Sequence, residues 1–270
     1  VTVNRRRVGK SGYGYKVDGE YVPGVTKIVG MLPKDNLIDW AARESATEAI
    51  NCWDELGRLP VMDRYNRIYK ARWNKTNPAA KRGTEVHRLA EALGNDEEVS
   101  VPPELQGYVE QYQDFLASLD VRPLVGGTEL VVASREHLYC GSLDLIADLG
   151  AVSYDAQIIP PSRWLLDIKT AESGIWPEAA LQCCAYERAE VFVDPADPED
   201  ERRVEWLKIA QCGALNLKSD AWELRPLDTS DVVWETFLRL RFLFDRADKD
   251  RGDYKSWVGG SARAADLVAN

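Results

Sequence analysis

Hydrophobic and polar positions change period partway along the chain. The opening "GYGYKVDGEYVPGVTKIVGML" alternates, and its "DGE" marks a turn, which predicts a hairpin. Apolar residues then recur at helical spacing, predicting helices over about 35–57, 62–76, 80–94 and 103–119, the last starting behind the prolines of "SVPPELQGYVEQYQDFLASL". From Leu124 the pattern becomes strand-like in three runs, "LVGGTELVVAS", "LYCGSLDLIADL" and "SRWLLDIKT", separated by turn-prone residues. A helix over about 175–192 follows, then strands in "VEWLKIAQCGAL" and "AWELRPL", and a helix over about 229–247. The acidic "DPADPEDERR" from Asp194 to Arg203 reads as a polar loop, and "GGSARAADLVAN" as a loosely held tail. No internal repeat is visible. This order predicts a mixed α/β (α+β) core, with a central mixed sheet flanked by helices, behind a helical N-terminal region. The expected segments are an N-terminal hairpin and helical region over 1–79, the core over 80–250 and the tail over 251–270.

At 270 residues, 45% of them apolar, the chain can bury a core without disulfide support. A formal net charge of −10 argues against an overall basic nucleic-acid coat or a membrane-surface protein, although a basic patch can sit inside an acidic total. The basic opening "VTVNRRRVGK" is followed by no apolar run, and no stretch approaches the roughly 20 apolar residues of a membrane span, so a soluble, cytoplasmic protein is expected. Five scattered cysteines, with no CxxC pair and no histidine at zinc-finger spacing, predict reduced and mostly buried thiols. The nine tryptophans are expected to be mainly core anchors.

The candidate chemistry begins in "WLLDIKT". On a strand, alternate residues share a face, so Asp167 and Lys169 point one way and Ile168 the other. Burying an acid and a base together costs several kcal/mol unless they pair or bind something, and a structural salt bridge would satisfy that demand. A second acid, Asp144, stands in the middle of the apolar strand "YCGSLDLIADL", where a metal ion would relieve the cost of an unpaired carboxylate. Glu129 opens another apolar strand, and His87, in "RGTEVHRLAEAL", shares a helix face with Thr84 and Glu91.

Taken in order, "RGTEVH", "TELVV", "GSLDLIA", "LLDIKT" and "QCCAYERA" resemble the RecB-type branch of the PD-(D/E)XK nucleases, and are most similar to its stand-alone phage exonucleases. The resemblance covers roughly residues 80–190 and, more weakly, "YVPGVTKIVGML". It implies a restriction-endonuclease-like core over 80–250, with 1–79 shaping substrate access. By the same resemblance Asp144, Asp167 and His87 are metal ligands, joined by the backbone carbonyl of Ile168. Lys169 orients the attacking water or stabilises the pentavalent phosphate, and Glu129 serves a second metal or supports the first. Gln182 and Tyr186, one helical turn apart, brace the site and the DNA strand. Leu143 stands where the family motif has proline, a common variation in this branch. The implied activity is a DNA exonuclease dependent on one or two Mg²⁺ or Mn²⁺ ions, working in phage recombination or replication beside a single-strand annealing protein, in the host bacterial cytoplasm. A DNA-binding protein that does not cut, a structure-specific endonuclease and an RNA nuclease are the alternatives.

Between Asp63 and Arg82 the acidic chain turns basic, with Arg64, Arg67, Lys70, Arg72, Lys75, Lys81 and Arg82 against a single acid. As a helix this segment sets Tyr65, Tyr69 and Trp73 on one face. That face either packs on the core or, with the basic residues, stacks on bases and contacts phosphates of a bound strand. Trp176, after the active strand, is a further candidate for base stacking, and His137 reads as a solvated turn residue. "VGKS" at Val8–Ser11 lacks the first glycine of a phosphate loop, since Asn4 occupies its position. An iron–sulfur cluster is not expected, because no cysteine follows Cys212 and Cys183 and Cys184 sit inside a helix.

Overall fold

A computed structural model describes residues 6–7, 13–95, 97–195 and 197–247. The expected tail over 251–270, the "VGKS" segment and Trp257 lie outside the described residues. Strands β1 (Arg6–Arg7), β2 (Tyr13–Val17) and β3 (Glu20–Val22) form a small antiparallel sheet. The β2–β3 turn is Asp18-Gly19, both at positive φ (50° and 87°), the geometry a two-residue hairpin loop requires. Helix α1 (Val25–Val29) follows and buries Val25, Ile28 and Val29 in the main core.

The helical region departs from its expected division. The helix expected over 35–57 is broken at Cys52 into α2 (Asp35–Asn51) and α3 (Trp53–Gly57). Conversely, α4 (Val61–Gly94) runs unbroken where two helices were expected, so the expected boundary at 79/80 falls inside it. Pro78 removes the hydrogen bond to the Asn74 carbonyl, but Asn74 is exposed and water can satisfy that carbonyl. A 3₁₀ turn, Pro103–Leu105, leads into α5 (Gln106–Ser118).

Two of the expected long strands are each split. "LVGGTELVVAS" becomes β4 (Arg122–Thr128) and β5 (Val131–Ser134), and "LYCGSLDLIADL" becomes β6 (Tyr139–Ser142) and β7 (Leu145–Leu149). A hairpin not anticipated from the pattern, β8 (Val152–Tyr154) and β9 (Gln157–Ile159), precedes β10 (Ser162–Lys169). Helix α6 (Glu178–Glu187) is shorter than expected because Val191–Asp194 is β11. Most of the expected polar loop is strand β12 (Asp197–Arg203), a charged edge strand paired with β11. Charges that keep an edge from recruiting another strand also give it the composition of a loop. A 3₁₀ turn, Val204–Leu207, replaces the start of the next expected strand, which begins at β13 (Gln211–Leu217) and is followed by β14 (Trp222–Pro226) and α7 (Asp231–Ala247).

Among the described residues, the central sheet has the order β14-β13-β10-β7-β4, with β10 and β13 parallel and its other neighbours antiparallel. A second sheet has the order β12-β11-β5-β6. The mixed α/β architecture expected from the element order is thus observed. The two sheets share a bent hairpin. From the β4–β7 ladder the chain continues to the β5–β6 ladder through hydrogen bonds from Glu129 N to Asp144 O (3.2 Å) and from Leu143 N to Leu130 O (2.9 Å). Glu129 makes the corner at φ 50°.

Strand β10 divides the core. Leu165 joins the cluster formed with α1, α6 and the second sheet, while Trp164, Leu166 and Ile168 join the cluster formed with α4 and α5. Gly141 shows how tightly the first cluster closes, since a Cβ there would overlap the Tyr186 ring. Gly141→Ala is therefore expected to destabilise the protein by about 1–3 kcal/mol through overpacking, read as a lower urea midpoint at unchanged slope.

Candidate metal and phosphate site

The corner of the bent hairpin is where the acids emerge. Glu129 stands between β4 and β5 rather than at the start of a strand, and Asp144 stands between β6 and β7 rather than within one. The β10–β7 pairing ends at Leu166↔Leu145. Beyond it the edge of β10 is free of β7, and the Ile168 amide donates to Asp144 Oδ2 at 2.7 Å. In a strand, the N–H and C=O of one residue point to the same edge, so the Ile168 carbonyl faces the Asp144 side as well.

Helix α4 brings His87 against the corner, with Nδ1 3.5 Å from Asp144 Oδ1. His87, Glu129 and Asp144 each offer a ligand atom, and these atoms lie within 4.8 Å of one another. The Ser142 hydroxyl orients the third member by donating to Glu129 Oε2 at 3.0 Å. An imidazole nitrogen with two carboxylates is a donor set suited to a hard or borderline divalent ion such as Mg²⁺ or Mn²⁺.

Asp167 lies outside this trio but in the same cleft. Its buried carboxylate is held by Lys169, whose Nζ sits 2.6 Å from both oxygens and also reaches Gln182 Oε1 at 3.4 Å. Asp167 and Lys169 thus share one face of β10, and Ile168 packs on the other, as alternation predicts. Tyr186, one turn beyond Gln182, is buried and forms part of the cleft wall. The cleft has a volume of about 700 Å³, and Lys27 and Arg88 add positive charge to its lining. A smaller cavity of about 320 Å³ lies at the opposite end of β10, where the Arg163–Asp148 ion pair (2.8 Å) occupies its wall.

Burial and mutual attraction set the charge states. Burial pushes the Asp144 carboxyl up, but the His87 ring, Lys169 and the Ile168 amide hold it below the ordinary carboxylate value. Burial likewise disfavours the His87 cation, and the Asp144 carboxylate reverses this and raises the imidazole above 6.5. Asp167 is pushed up to about 6 by burial, against the pull of Lys169. Burial works against the Lys169 cation, and Asp167 and Asp144 overcome it, so the ammonium stays charged.

Two contributors were not singled out in the sequence, although the second lies within "RGTEVH". Asn216, paired with Lys169 across the parallel ladder, is buried and bonds the Ala171 N–H and carbonyl, both at 3.0 Å, fixing the chain as it leaves β10. Gly83 lets α4 approach the end of β10, where a Cβ would sit 3.3 Å from the Thr170 hydroxyl.

The basic segment is distributed differently from its appearance in sequence. Arg67 pairs with Glu48 (2.8 Å) and Glu55 (2.9 Å), Lys75 with Glu44 (2.7 Å), and Arg82 is 3.7 Å from Glu172. Arg64 donates to the Leu59 carbonyl at 3.3 Å, and Arg72 lies over Trp73 at 4.2 Å. Lys70 and Lys81 are exposed. The aromatic face does not pack on the core: Tyr65 and Tyr69 are 57% and 49% exposed. Trp176 is exposed in the loop after β10, with its indole N–H on the Ser173 hydroxyl. His137 is half-buried edge-on against Trp234 rather than solvated, and Trp53 and Trp206 are exposed rather than core anchors. Cys140, Cys183, Cys184 and Cys212 are buried free thiols, as expected. Among the described residues, no helix is long and apolar enough to cross a membrane.

No model of a known protein family matches this chain, and neither does any curated protein.

Binding of Mn²⁺ to the trio must displace the proton that Asp144 stabilises on His87, so affinity should rise with pH through the neutral range, up to tenfold per unit for one displaced proton. Ionisation of Asp167 above about pH 6 adds attraction in the same direction. Calorimetric Mn²⁺ titrations from pH 5.5 to 8 check this, and His87→Ala is expected to weaken binding and flatten the slope.

Proposed function

We propose that this chain is a metal-dependent deoxyribonuclease that hydrolyses phosphodiester bonds in DNA from an end. The observation that carries the reading is the convergence, in one open cleft, of the His87, Glu129 and Asp144 donors with a charged lysine tethered between Asp167 and Gln182. Such a cleft has the two things phosphodiester hydrolysis needs, a seat for cationic charge beside the phosphate and a group to orient water.

Mg²⁺ or Mn²⁺ held by His87, Glu129 and Asp144, with the Ile168 carbonyl at hand, would stabilise charge on a non-bridging phosphate oxygen and make water more nucleophilic. The chain's own groups supply the rest. Lys169, held charged and aimed into the cleft, faces the phosphate as negative charge develops on it and hydrogen-bonds the incoming water. Asp167 and Gln182 restrain the ammonium, which lowers the reorganisation needed when the substrate arrives. Ser142 keeps Glu129 turned inward, and Tyr186 fills the wall behind Gly141. As the water oxygen bonds to phosphorus, the bond from phosphorus to the leaving nucleoside oxygen breaks, and the proton released by the water neutralises that oxygen. Work in phage recombination or replication, beside a single-strand annealing protein in the host cytoplasm, belongs to the same reading and rests on the resemblance of the motifs.

The test is degradation of end-labelled linear DNA with Mg²⁺, Mn²⁺ or EDTA, with end-blocked circles as the control. Shortening of linear substrate alone, abolished by EDTA, is the expected result. Lys169→Ala and Asp144→Ala should each lower the rate by at least about 100-fold, with the thermal unfolding transition retained. Near wild-type cutting by either variant would remove these residues from the mechanism, and cleaved circles would make the enzyme an endonuclease. Binding without cleavage in every metal would leave a DNA-binding protein.

A further inference from the structure

The long helix carries more than His87. With Tyr65 as origin and 100° per residue, Tyr69 and Trp73 fall at about 40° and 80°, and Thr84, His87 and Glu91 at about 100°, 40° and 80°. The buried positions of the same helix, Ala71, Val86, Leu89, Ala90 and Ala92, fall at about 240°, 300°, 240°, 340° and 180°. Helix α2 packs on that second side, through the ion pairs of Glu48 with Arg67 and Glu44 with Lys75. One open stripe therefore runs the length of α4, opposite both the core and α2, and ends at residues that line the cleft.

The far end of this stripe is an aromatic ladder. Tyr65 and Tyr69 lie with their rings parallel (8°) and centroids 5.7 Å apart, and Trp73 meets Tyr69 edge-on at 5.1 Å. Two exposed tyrosines followed by a half-buried tryptophan along one helix face are costly in water unless something covers them. Charge on the flanks selects what can do so. Lys70 and Lys81 lie on one side of the stripe, at about 140° and 160°, and Arg72 on the other, at about 340°. Among the described residues, none of these three cations has a carboxylate within ion-pair distance; Arg72 lies instead over the Trp73 ring at 4.2 Å. Flat aromatic faces bordered by lysine and arginine suit a single strand, whose unpaired bases stack while its phosphates meet the cations. A duplex keeps its bases stacked inside and offers the ladder nothing comparable.

We infer that the Tyr65, Tyr69 and Trp73 face of α4 is a stacking track for single-stranded DNA, leading the strand along the helix into the cleft at His87. The inference rests on the nuclease reading for its direction, but the track can be tested without cleavage. Tyr65 to His87 spans about 33 Å of helix axis, no more than about ten nucleotides at the 3.4 Å repeat of a duplex strand. An oligothymidylate of 16 nucleotides should reach the ladder from the cleft, and one of 4 should not.

The experiment measures binding of fluorescein-labelled dT16 and dT4 to full-length Lys169→Ala protein in Mg²⁺, with Tyr65→Ala/Tyr69→Ala and Tyr65→Phe/Tyr69→Phe added to the same background. Both tyrosines are solvent-exposed, and melting curves check that each variant remains folded. The expected result is that dT16 binds more tightly than dT4, that the alanine pair loses at least about tenfold on dT16 with little change on dT4, and that the phenylalanine pair retains the advantage. Equal dT16 binding with and without the two rings overturns the track, even if the unmodified chain degrades DNA. A blunt hairpin duplex that competes as well as dT16 and depends equally on the rings overturns the single-strand assignment. Ladder-dependent binding, with the unmodified chain cleaving no DNA in any metal, supports the track and refutes the nuclease reading.

Discussion

The hydrogen bond from the Ile168 amide to the Asp144 carboxylate, 2.7 Å long, is the contact on which the rest of the site depends. It exists because β7 stops at Leu145, leaving the edge of β10 unpaired where a ladder bond would otherwise run. A buried backbone N–H needs a partner, and Asp144 supplies it only because the hairpin bends from one sheet to the other at that residue. The same bend turns Glu129 toward Asp144, and their backbones are bonded across the corner. Fold and chemistry are therefore one constraint: straightening the hairpin would restore a strand pair and remove two of the three converging donors.

Four ionisable groups, His87, Asp144, Asp167 and Lys169, are crowded into this corner, with the two acids more buried than the two bases. Desolvation favours their neutral forms, and attraction between opposite charges opposes it at His87, Asp144 and Lys169. Asp167 is the exception, its carboxyl pushed up to about 6 by burial, with Asp144 adding to the rise and Lys169 opposing it. Such a cluster is poor material for stability, since a buried pair rarely recovers the full cost of leaving water. Its retention makes sense where a ligand bound to the folded state repays the cost.

Helix α4 joins two parts that would otherwise be unrelated. Its C-terminal half buries Val86, Leu89 and Ala90 against α5 and the central sheet, and its N-terminal half stands away from that core with α2 as its partner. Because a helix transmits direction along its axis, a residue at one end has a fixed angular relation to a residue at the other. His87 and the aromatic ladder thus belong to one surface, although Trp73 lies 14 positions before His87 in sequence.

The sequence alone determined the class of the fold, the hairpin at Asp18-Gly19, the facing of Asp167 and Lys169 and the opposite facing of Ile168, because turn chemistry and strand alternation are local. It also drew attention to His87, Glu129 and Asp144 as residues out of keeping with their apolar surroundings. It divided α4 into helices over 62–76 and 80–94, since solvation of the Asn74 carbonyl that Pro78 frees depends on an exposure no local pattern records. It misread Asp197–Arg203 as a loop, since an edge strand and a loop share the same charged composition. Only the tertiary structure decided that Glu129 and Asp144 occupy the two arms of one bend, that Asn216 fastens the end of β10, and that Glu44, Glu48 and Glu55 neutralise much of a basic segment that looks unopposed in sequence. Each of those outcomes is a contact between residues 12 to 45 positions apart, and distance in sequence carries no information about distance in space until the chain has folded.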